Sequence, residues 1–332
     1  MSESLTFWYC VETHQWPDVY DILLIVFAAL GFLLNTAVAI HLFLLRGPCK
    51  TSLALLRGLV VSCAMASLVN FIEHAMPKME RTSSYHFNRL VCIFWASRFF
   101  YWIFVVIASQ FLFFFAVYRF LDLTGNDDYK IPSEEYRIPT YSTVIPVFSV
   151  IITAPQTFSV NLMGDVCNCS HRKINIPLLS LIYAQVYIWI AILIVFDGCV
   201  LTFISFRLWR LLKTPKRLRR EDKLELLHFY KTTFTEGPFC DNMAASNSSK
   251  VAGSLCIIPL TISYLVLFSY DQLYQFASAV DLTTYVIGTP VQKFGGFLIV
   301  GHCVIVPIIV LIYVRPLRLG LRKCWKKLTG KT

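Results

Sequence analysis

Seven long apolar stretches divide the chain, separated by polar connections. They are Ile22–Leu45, Ser52–Ile72, Val91–Leu121, Thr140–Leu162, Ile176–Leu212, Ser254–Phe276 and Phe294–Val314. A helix needs about 20 mainly apolar residues to cross about 30 Å of hydrocarbon. The stretches are too long for barrel strands and do not alternate apolar with polar residues. We therefore predict an all-α bundle of seven transmembrane helices over residues 21–314.

The composition is that expected of a protein embedded in a membrane. Hydrophobic residues make up 56% of the chain and charged residues 15%. A soluble chain of 332 residues with these fractions would leave large apolar patches in water. We expect a multi-pass protein of the plasma membrane embedded in the lipid bilayer.

The positive charges predict the orientation of the bundle. Of the 30 Lys and Arg residues, 22 lie in or beside the connections on one side and six on the other. Cytoplasmic connections are the ones enriched in Lys and Arg. Residues 1–20 are therefore expected outside the cell, with the long basic third loop (213–250) and the tail (315–332) in the cytosol. The net charge of +10 then describes an inner face against anionic lipid, and no nucleic-acid partner is expected.

Four of the eleven Cys residues fall on the predicted outer side, where disulfides persist. Cys92, at the start of the third stretch, can bridge to Cys167 or Cys169, and Cys10 can bridge to the loop Cys that remains. The sequence Asn168-Cys169-Ser170 is an outward-facing glycosylation sequon, with Asn168 as the acceptor. The Cys spacing matches no metal site, and neither a metal nor a cofactor is predicted.

Several short motifs occur in an order that matches a known receptor family. The first stretch contains Asn35, the third ends with Tyr118-Arg119-Phe120, the seventh contains Pro307, and residues 315–327 alternate apolar with basic positions. Together with seven stretches and Cys92, these residues resemble the rhodopsin-like (class A) G-protein-coupled receptors over roughly residues 21–327. The resemblance implies a short amphipathic helix in the inner interface after the seventh span.

The same resemblance implies a mechanism and names its residues. In the family, an extracellular ligand shifts the bundle so that the arginine at the place of Arg119 helps to receive a heterotrimeric G-protein, and Pro307 keeps the family's proline. Tyr118 stands where the family has an acid, so we expect Asp122 or Asp197 to hold Arg119 instead. With such departures the chain resembles a divergent member, of the kind found in invertebrate chemosensory or orphan groups.

Polar side chains inside the spans are candidates for ligand contact, because they are costly in lipid and usually have a partner or a function. Arg98 can pair with Glu73 or receive an anionic ligand group. The candidate pocket in the outer part of the bundle consists of Arg98, Tyr101, Trp102, Gln185, Tyr264 and His302. Its rings can equally serve as an aromatic belt and core packing, and His302 can equally be a hydrogen-bonded core residue.

Two further expectations concern Lys293 and catalysis. Lys293 lies just before the seventh apolar stretch and is expected to be a solvated loop residue. The chain contains no catalytic or phosphate-binding motif, so we do not expect an enzyme. The alternative to a receptor is a membrane transporter or channel, which should show internal repeats and helices broken in matching positions.

Overall fold

A computed structural model describes residues 8–10, 16–44, 50–76, 82–124, 129–131, 133–163, 166–169, 176–213, 255–314 and 317. Helices dominate these ranges: α1 (Val19–Leu44), α2 (Lys50–Ala75), α3 (Tyr85–Val91), α4 (Phe99–Thr124), α5 (Glu134–Thr153), α6 (Ile176–Trp189), α7 (Asp197–Lys213), α8 (Ile257–Ser263), α9 (Ser269–Ala279) and α10 (Pro290–Tyr313). The predictions for most of the third loop and of the tail lie outside the described residues.

In the described ranges, three π-helical turns join neighbouring helices into longer segments. They are Cys92–Ala96 between α3 and α4, Ile190–Phe196 between α6 and α7, and Tyr264–Phe268 between α8 and α9. A 3₁₀ turn, Ala154–Phe158, extends α5. We number the resulting segments along the chain: 1 (α1), 2 (α2), 3 (α3 and α4), 4 (α5 with its 3₁₀ turn), 5 (α6 and α7), 6 (α8 and α9) and 7 (α10).

Within the described residues, six helices are long and apolar enough to cross a membrane. They belong to segments 1, 2, 3, 4, 5 and 7. Segment 6 is helical over residues 257–279, but its second half contains Asp271, Gln272 and Gln275 and is more polar. The mainly helical architecture predicted from the sequence is confirmed, and the chain is a multi-pass membrane protein by the length and composition of its helices.

Two small sheets lie at one end of the bundle. β1 (Trp8–Cys10) pairs in parallel with β4 (Tyr285–Ile287), and β2 (Val160–Met163) pairs antiparallel with β3 (Val166–Cys169). A disulfide joins Cys92 to Cys167, with the two Cα atoms 5.6 Å apart. Of the two partners predicted for Cys92, Cys167 is therefore the one used, and we call this end of the bundle the disulfide end. The second bridge, from Cys10 to Cys169, stays a prediction.

Small residues let the first three segments approach closely. A Cβ atom added at Gly58 would lie 2.5 Å from the ring of Phe111, and one at Gly31 would lie 2.7 Å from Ser67 Oγ. Both distances are shorter than van der Waals contact, so glycine is required for this packing. Segment 3 is thereby held against segment 2, and segment 1 against segment 2.

Segments 1 and 7 are joined by a hydrogen bond that a proline makes possible. Pro307 has no N–H, so the carbonyl four residues earlier, at Cys303, has no helical donor. Asn35 Nδ2 donates to that carbonyl oxygen at 2.8 Å and to the Gly31 carbonyl oxygen at 2.8 Å. The amide of Asn35 thus replaces the missing backbone donor from a neighbouring segment. Asn35 and Pro307, two residues that carry the family resemblance, act together in the structure.

Candidate functional site

Arg98 is the centre of a partly buried polar cluster near the disulfide end. Its Nε donates to Glu73 Oε2 at 2.8 Å, and its Nη2 donates to Asn70 Oδ1 at 2.6 Å. The guanidinium carbon lies 4.4 Å from the centre of the Tyr101 ring. Of the two alternatives for Arg98, the structure contains the ion pair with Glu73, and it adds Asn70 and a cation–π contact that the sequence did not predict.

The backbone at Arg98 departs from a regular helix. Its φ angle is +59°, in the left-handed region. For a residue other than glycine, this conformation costs about 1–2 kcal/mol. The hydrogen bonds made by its side chain help to offset that cost. Arg98 therefore lies at a break between the π-helical turn Cys92–Ala96 and α4, a feature that the uninterrupted apolar pattern of the third stretch does not indicate.

Several buried polar atoms in this cluster have no hydrogen-bond partner among the described residues. They are Asn70 Nδ2, Glu73 Oε1 and the Tyr101 hydroxyl. An unsatisfied buried polar group costs about 1–3 kcal/mol, so native proteins contain few of them. Three such atoms around one guanidinium make this the part of the described structure best suited to receive a polar ligand.

Segment 6 adds a carboxylate on the other side of the cluster. Asp271 accepts hydrogen bonds from Gln275 Nε2 at 2.8 Å and from the Tyr285 hydroxyl at 3.3 Å. Tyr285 belongs to β4, and its burial raises the pKa of the hydroxyl well above its usual value, so this group remains a donor at neutral pH. Asp271 was not predicted as a site residue, because an acid near the end of an apolar stretch resembles a solvated boundary residue.

The remaining predicted pocket residues make separate contacts. The rings of Trp102 and Trp189 lie 5.2 Å apart, and Gln185 Nε2 donates to Gln156 Oε1 at 3.1 Å. Deeper in the bundle, His302 Nδ1 lies 2.8 Å from Ser263 Oγ, as expected for a hydrogen-bonded core histidine. The ring of Tyr264 lies 6.2 Å from that of His302. The structure therefore brings Arg98 and Tyr101 into contact. The other four predicted residues make their own contacts nearby.

The expectation for Lys293 was wrong. This residue lies in the first turn of α10 with only 6% of its side chain exposed. Its ammonium donates to Asp18 Oδ2 and to Asp21 Oδ1, each at 2.8 Å. His74 Nδ1 lies 3.3 Å from the same Asp21 oxygen. Lys293 thus connects segment 7 to segment 1, and the hydropathy of its own neighbours could not reveal acids so far away in sequence.

At the opposite end of segment 3, Arg119 contacts an acid on its own helix. Arg119 Nη1 lies 3.5 Å from Asp122 Oδ2, and only 2% of the arginine side chain is exposed. Lys130 Nζ donates to the other Asp122 oxygen at 3.0 Å and lies 5.2 Å from the centre of the Tyr118 ring. We call this end the Arg119 end. Two cations therefore share one carboxylate.

Of the two acids considered for Arg119, Asp122 is the one that contacts it. Asp197 instead accepts a hydrogen bond from Gln110 Nε2 at 2.7 Å. Gln110 precedes Arg119 by two and a half turns on the same helix, about 13 Å along its axis. Of the two alternatives, Asp197 is therefore not the partner of Arg119; it joins segment 5 to the middle of segment 3.

The sequence matches no protein-family model, and no curated protein matches it at a significant level. Within the described residues, no group of three or more His, Cys, Asp or Glu side chains is placed to hold a metal ion. The fold is that of a helical multi-pass membrane protein. Its described polar side chains include a cluster at each end of segment 3.

Proposed function

We propose that this chain is a seven-span receptor of the plasma membrane that binds an extracellular ligand and activates a heterotrimeric G-protein. The disulfide end faces outside, and the Arg119 end faces the cytosol. The bias of Lys and Arg supports this orientation, as does the disulfide at the end assigned to the oxidising side. Segment 6, whose second half contains Asp271, Gln272 and Gln275, then carries Asp271 towards the ligand side.

The observation that carries the proposal is the arrangement of segment 3. This one helical segment carries Cys92 and Arg98 near one end and the buried Arg119 at the other. About 20 residues separate the two arginines, which corresponds to roughly 30 Å of helix. Helix α4, which begins directly after Arg98 and continues past Arg119, can therefore transmit a change at the outer cluster to the inner one.

Arg119 supplies the inner switch. A buried guanidinium held by Asp122 has two discrete arrangements, one bound to the carboxylate and one released towards a partner protein. A ligand favours the released arrangement only by its difference in affinity for the two states. Lys130 competes for the same carboxylate. This competition weakens the contact between Asp122 and Arg119, so Arg119 can be released from it.

The second candidate is a transporter, favoured by the breaks in segments 3, 5 and 6 together with buried charges. Transporters of the repeat type place broken helices in matching positions of two halves. Here the three π-helical turns fall in segments 3, 5 and 6, which do not form such a pair of halves. The receptor is therefore the better supported function.

The experiment is G-protein activation in cells that express the intact chain, across a panel of G-protein subtypes. Arg119→Ala is compared with Arg89→Ala, a change to an exposed arginine at the other end of segment 3, at equal surface level. We expect basal or extract-stimulated activation that disappears in Arg119→Ala and persists in Arg89→Ala. Absence of activation with every subtype, or equal loss in both variants, contradicts the proposal and favours the transporter.

A further inference from the structure

The carboxylate of Asp271 is buried and forms no ion pair within 4.0 Å in the described part of the chain. Only 1% of the residue is exposed, and its two oxygens accept hydrogen bonds from Gln275 and Tyr285. Among the described residues, no Lys, Arg or His nitrogen lies within 4.0 Å of it. Two neutral donors compensate a buried negative charge only in part, so the group can accept a cation from outside the protein.

Three other acids in the described structure, unlike Asp271, are paired with a cation. Asp21 is paired with Lys293, Glu73 with Arg98, and Asp122 with Arg119 and Lys130. Asp197 also lacks a cation within 4.0 Å in the part of the chain that is described, but it lies deep in the bundle against Gln110. Among the acids that the structure describes without an ion pair, Asp271 lies beside the polar cluster around Arg98.

Two glycines of segment 7 bring Asp271 and Arg98 to the same place. A Cβ atom added at Gly295 would lie 2.8 Å from Asp271 Oδ1, and one at Gly296 would lie 3.9 Å from Arg98 Nη1. The carboxylate and the guanidinium therefore lie over consecutive residues of α10. The site is formed by segments 2, 3, 6 and 7.

An unpartnered polar group points to a ligand at this position. The Tyr101 hydroxyl is fully buried and has no hydrogen-bond partner among the described residues, and the Tyr101 ring lies 4.4 Å from the guanidinium carbon of Arg98. A hydroxyl both donates and accepts, so it can receive an N–H of a ligand that is bound to the carboxylate. Aromatic rings border this hydroxyl: the Tyr101 ring lies 5.3 Å from that of Trp102, which lies 5.2 Å from that of Trp189.

The charges select the kind of ligand. Arg98 and Glu73 neutralise each other, and Asp271 leaves one negative charge. An anionic ligand at Arg98 would approach two carboxylates, whereas a cation would complete the pair that Asp271 lacks. We infer that this site binds an organic amine, with its ammonium group on the Asp271 carboxylate and within reach of the Tyr101 hydroxyl. This inference deepens the proposed function and rests on it, since it names the chemical class of the receptor's ligand.

The test uses three probes of the same shape and different charge: 2-phenylethylamine, 2-phenylethanol and phenylacetate. Binding is measured as thermal stabilisation of the intact, purified protein in detergent, because a ligand that binds the native state raises the melting temperature. Asp271→Asn removes the charge and keeps the acceptor for Gln275. Asp281→Asn is the matched control: it removes an exposed carboxylate near the same end, at a positive φ that Asn readily adopts.

We expect the amine alone to stabilise the wild-type protein and Asp281→Asn, with affinity for Asp271→Asn lower by roughly thirtyfold or more. If Asp271→Asn does not fold, Gly295→Ala serves instead, because its methyl group displaces the carboxylate and should weaken amine binding. Stabilisation by the alcohol or the acid equal to that by the amine, unchanged amine binding in the Asp271 variant, or no amine binding overturns the inference.

The experiments distinguish a failure of the inferred ligand class from a failure of the proposed receptor function. The stabilisation assay contains no G-protein. G-protein activation without amine binding refutes only the ligand class. Amine binding that depends on Asp271 in a protein that activates no G-protein refutes only the receptor and leaves a transporter of amines.

Discussion

The Tyr264 hydroxyl donates to the backbone carbonyl oxygen of Leu193 at 2.5 Å. Both residues lie in π-helical turns, Tyr264 at the start of the turn in segment 6 and Leu193 in the middle of the turn in segment 5. A π-helical turn disturbs the regular helical ladder and leaves carbonyl groups that need other donors. One side chain therefore joins the irregular parts of two neighbouring segments.

Removing this hydroxyl should loosen segments 5 and 6. Tyr264→Phe keeps the ring, which stacks on Phe268 at 4.8 Å, and leaves the Leu193 carbonyl oxygen without this donor. We expect a loss of about 1 kcal/mol in the free energy of unfolding, the size of one buried neutral hydrogen bond. Thermal unfolding in detergent measures it, with Tyr313→Phe, a half-exposed tyrosine, as the control. Equal melting temperatures for both variants would show that the hydrogen bond contributes nothing.

Under the proposed function, the contact between Asp122 and Arg119 controls basal activity. Asp122→Asn should weaken the hold on Arg119 and raise ligand-independent G-protein activation. A loss of about 1 kcal/mol from the held state corresponds to a roughly fivefold change in population. Asp197→Asn should leave basal activation unchanged, since its carboxylate contacts Gln110. A rise with Asp197→Asn and none with Asp122→Asn, at equal surface expression, would reverse the roles of the two acids.

The ion pair between Glu73 and Arg98 should be required for folding. Glu73→Gln leaves a guanidinium that is 22% exposed without its counter-charge. Breaking a fully buried pair on one side costs about 3–5 kcal/mol, and this partly buried pair should cost less. We expect surface expression to fall sharply. The double variant Glu73→Gln with Arg98→Gln removes both charges and should recover part of the expression. Glu135→Gln, an exposed acid at the Arg119 end, should express like wild type. No recovery in the double variant would argue for contacts of Arg98 beyond the pair.

Lys293 should anchor segment 7 to segment 1. Lys293→Met keeps the length of the side chain but removes the ammonium from the buried Asp21, so we expect the unfolding free energy to fall by about 3 kcal/mol. Adding Asp21→Asn should restore part of it. Lys50→Met, at an exposed position, is the control. The measurement is the melting temperature of each variant and of the wild type. A Lys293→Met protein as stable as Lys50→Met would mean that the ion pair between Lys293 and Asp21 adds no stability.

The helices and part of the site could be predicted from the sequence. Each apolar stretch interacts with lipid through its own residues, so its helical state follows from local composition. The sequence identified four residues of the site, because cysteines on the outer side and charged residues within a span have few candidate partners. They are Cys92, Cys167, Arg98 and Glu73. The left-handed backbone at Arg98 could not be predicted, because its neighbours are those of an ordinary apolar helix.

The sequence by itself determined a helical membrane protein, the side of the bundle that carries most positive charge, and the short lists of partners for Cys92, Arg98 and Arg119. Only the tertiary structure decided among those partners: Cys167 for Cys92, Asp122 for Arg119, and the acids Asp18 and Asp21 for Lys293. It also placed Asp271 beside Arg98. The physical reason is that burial in lipid depends on residues close together in the chain. Pairing instead depends on distances of a few ångströms between residues far apart in sequence, which only the packing of the segments defines.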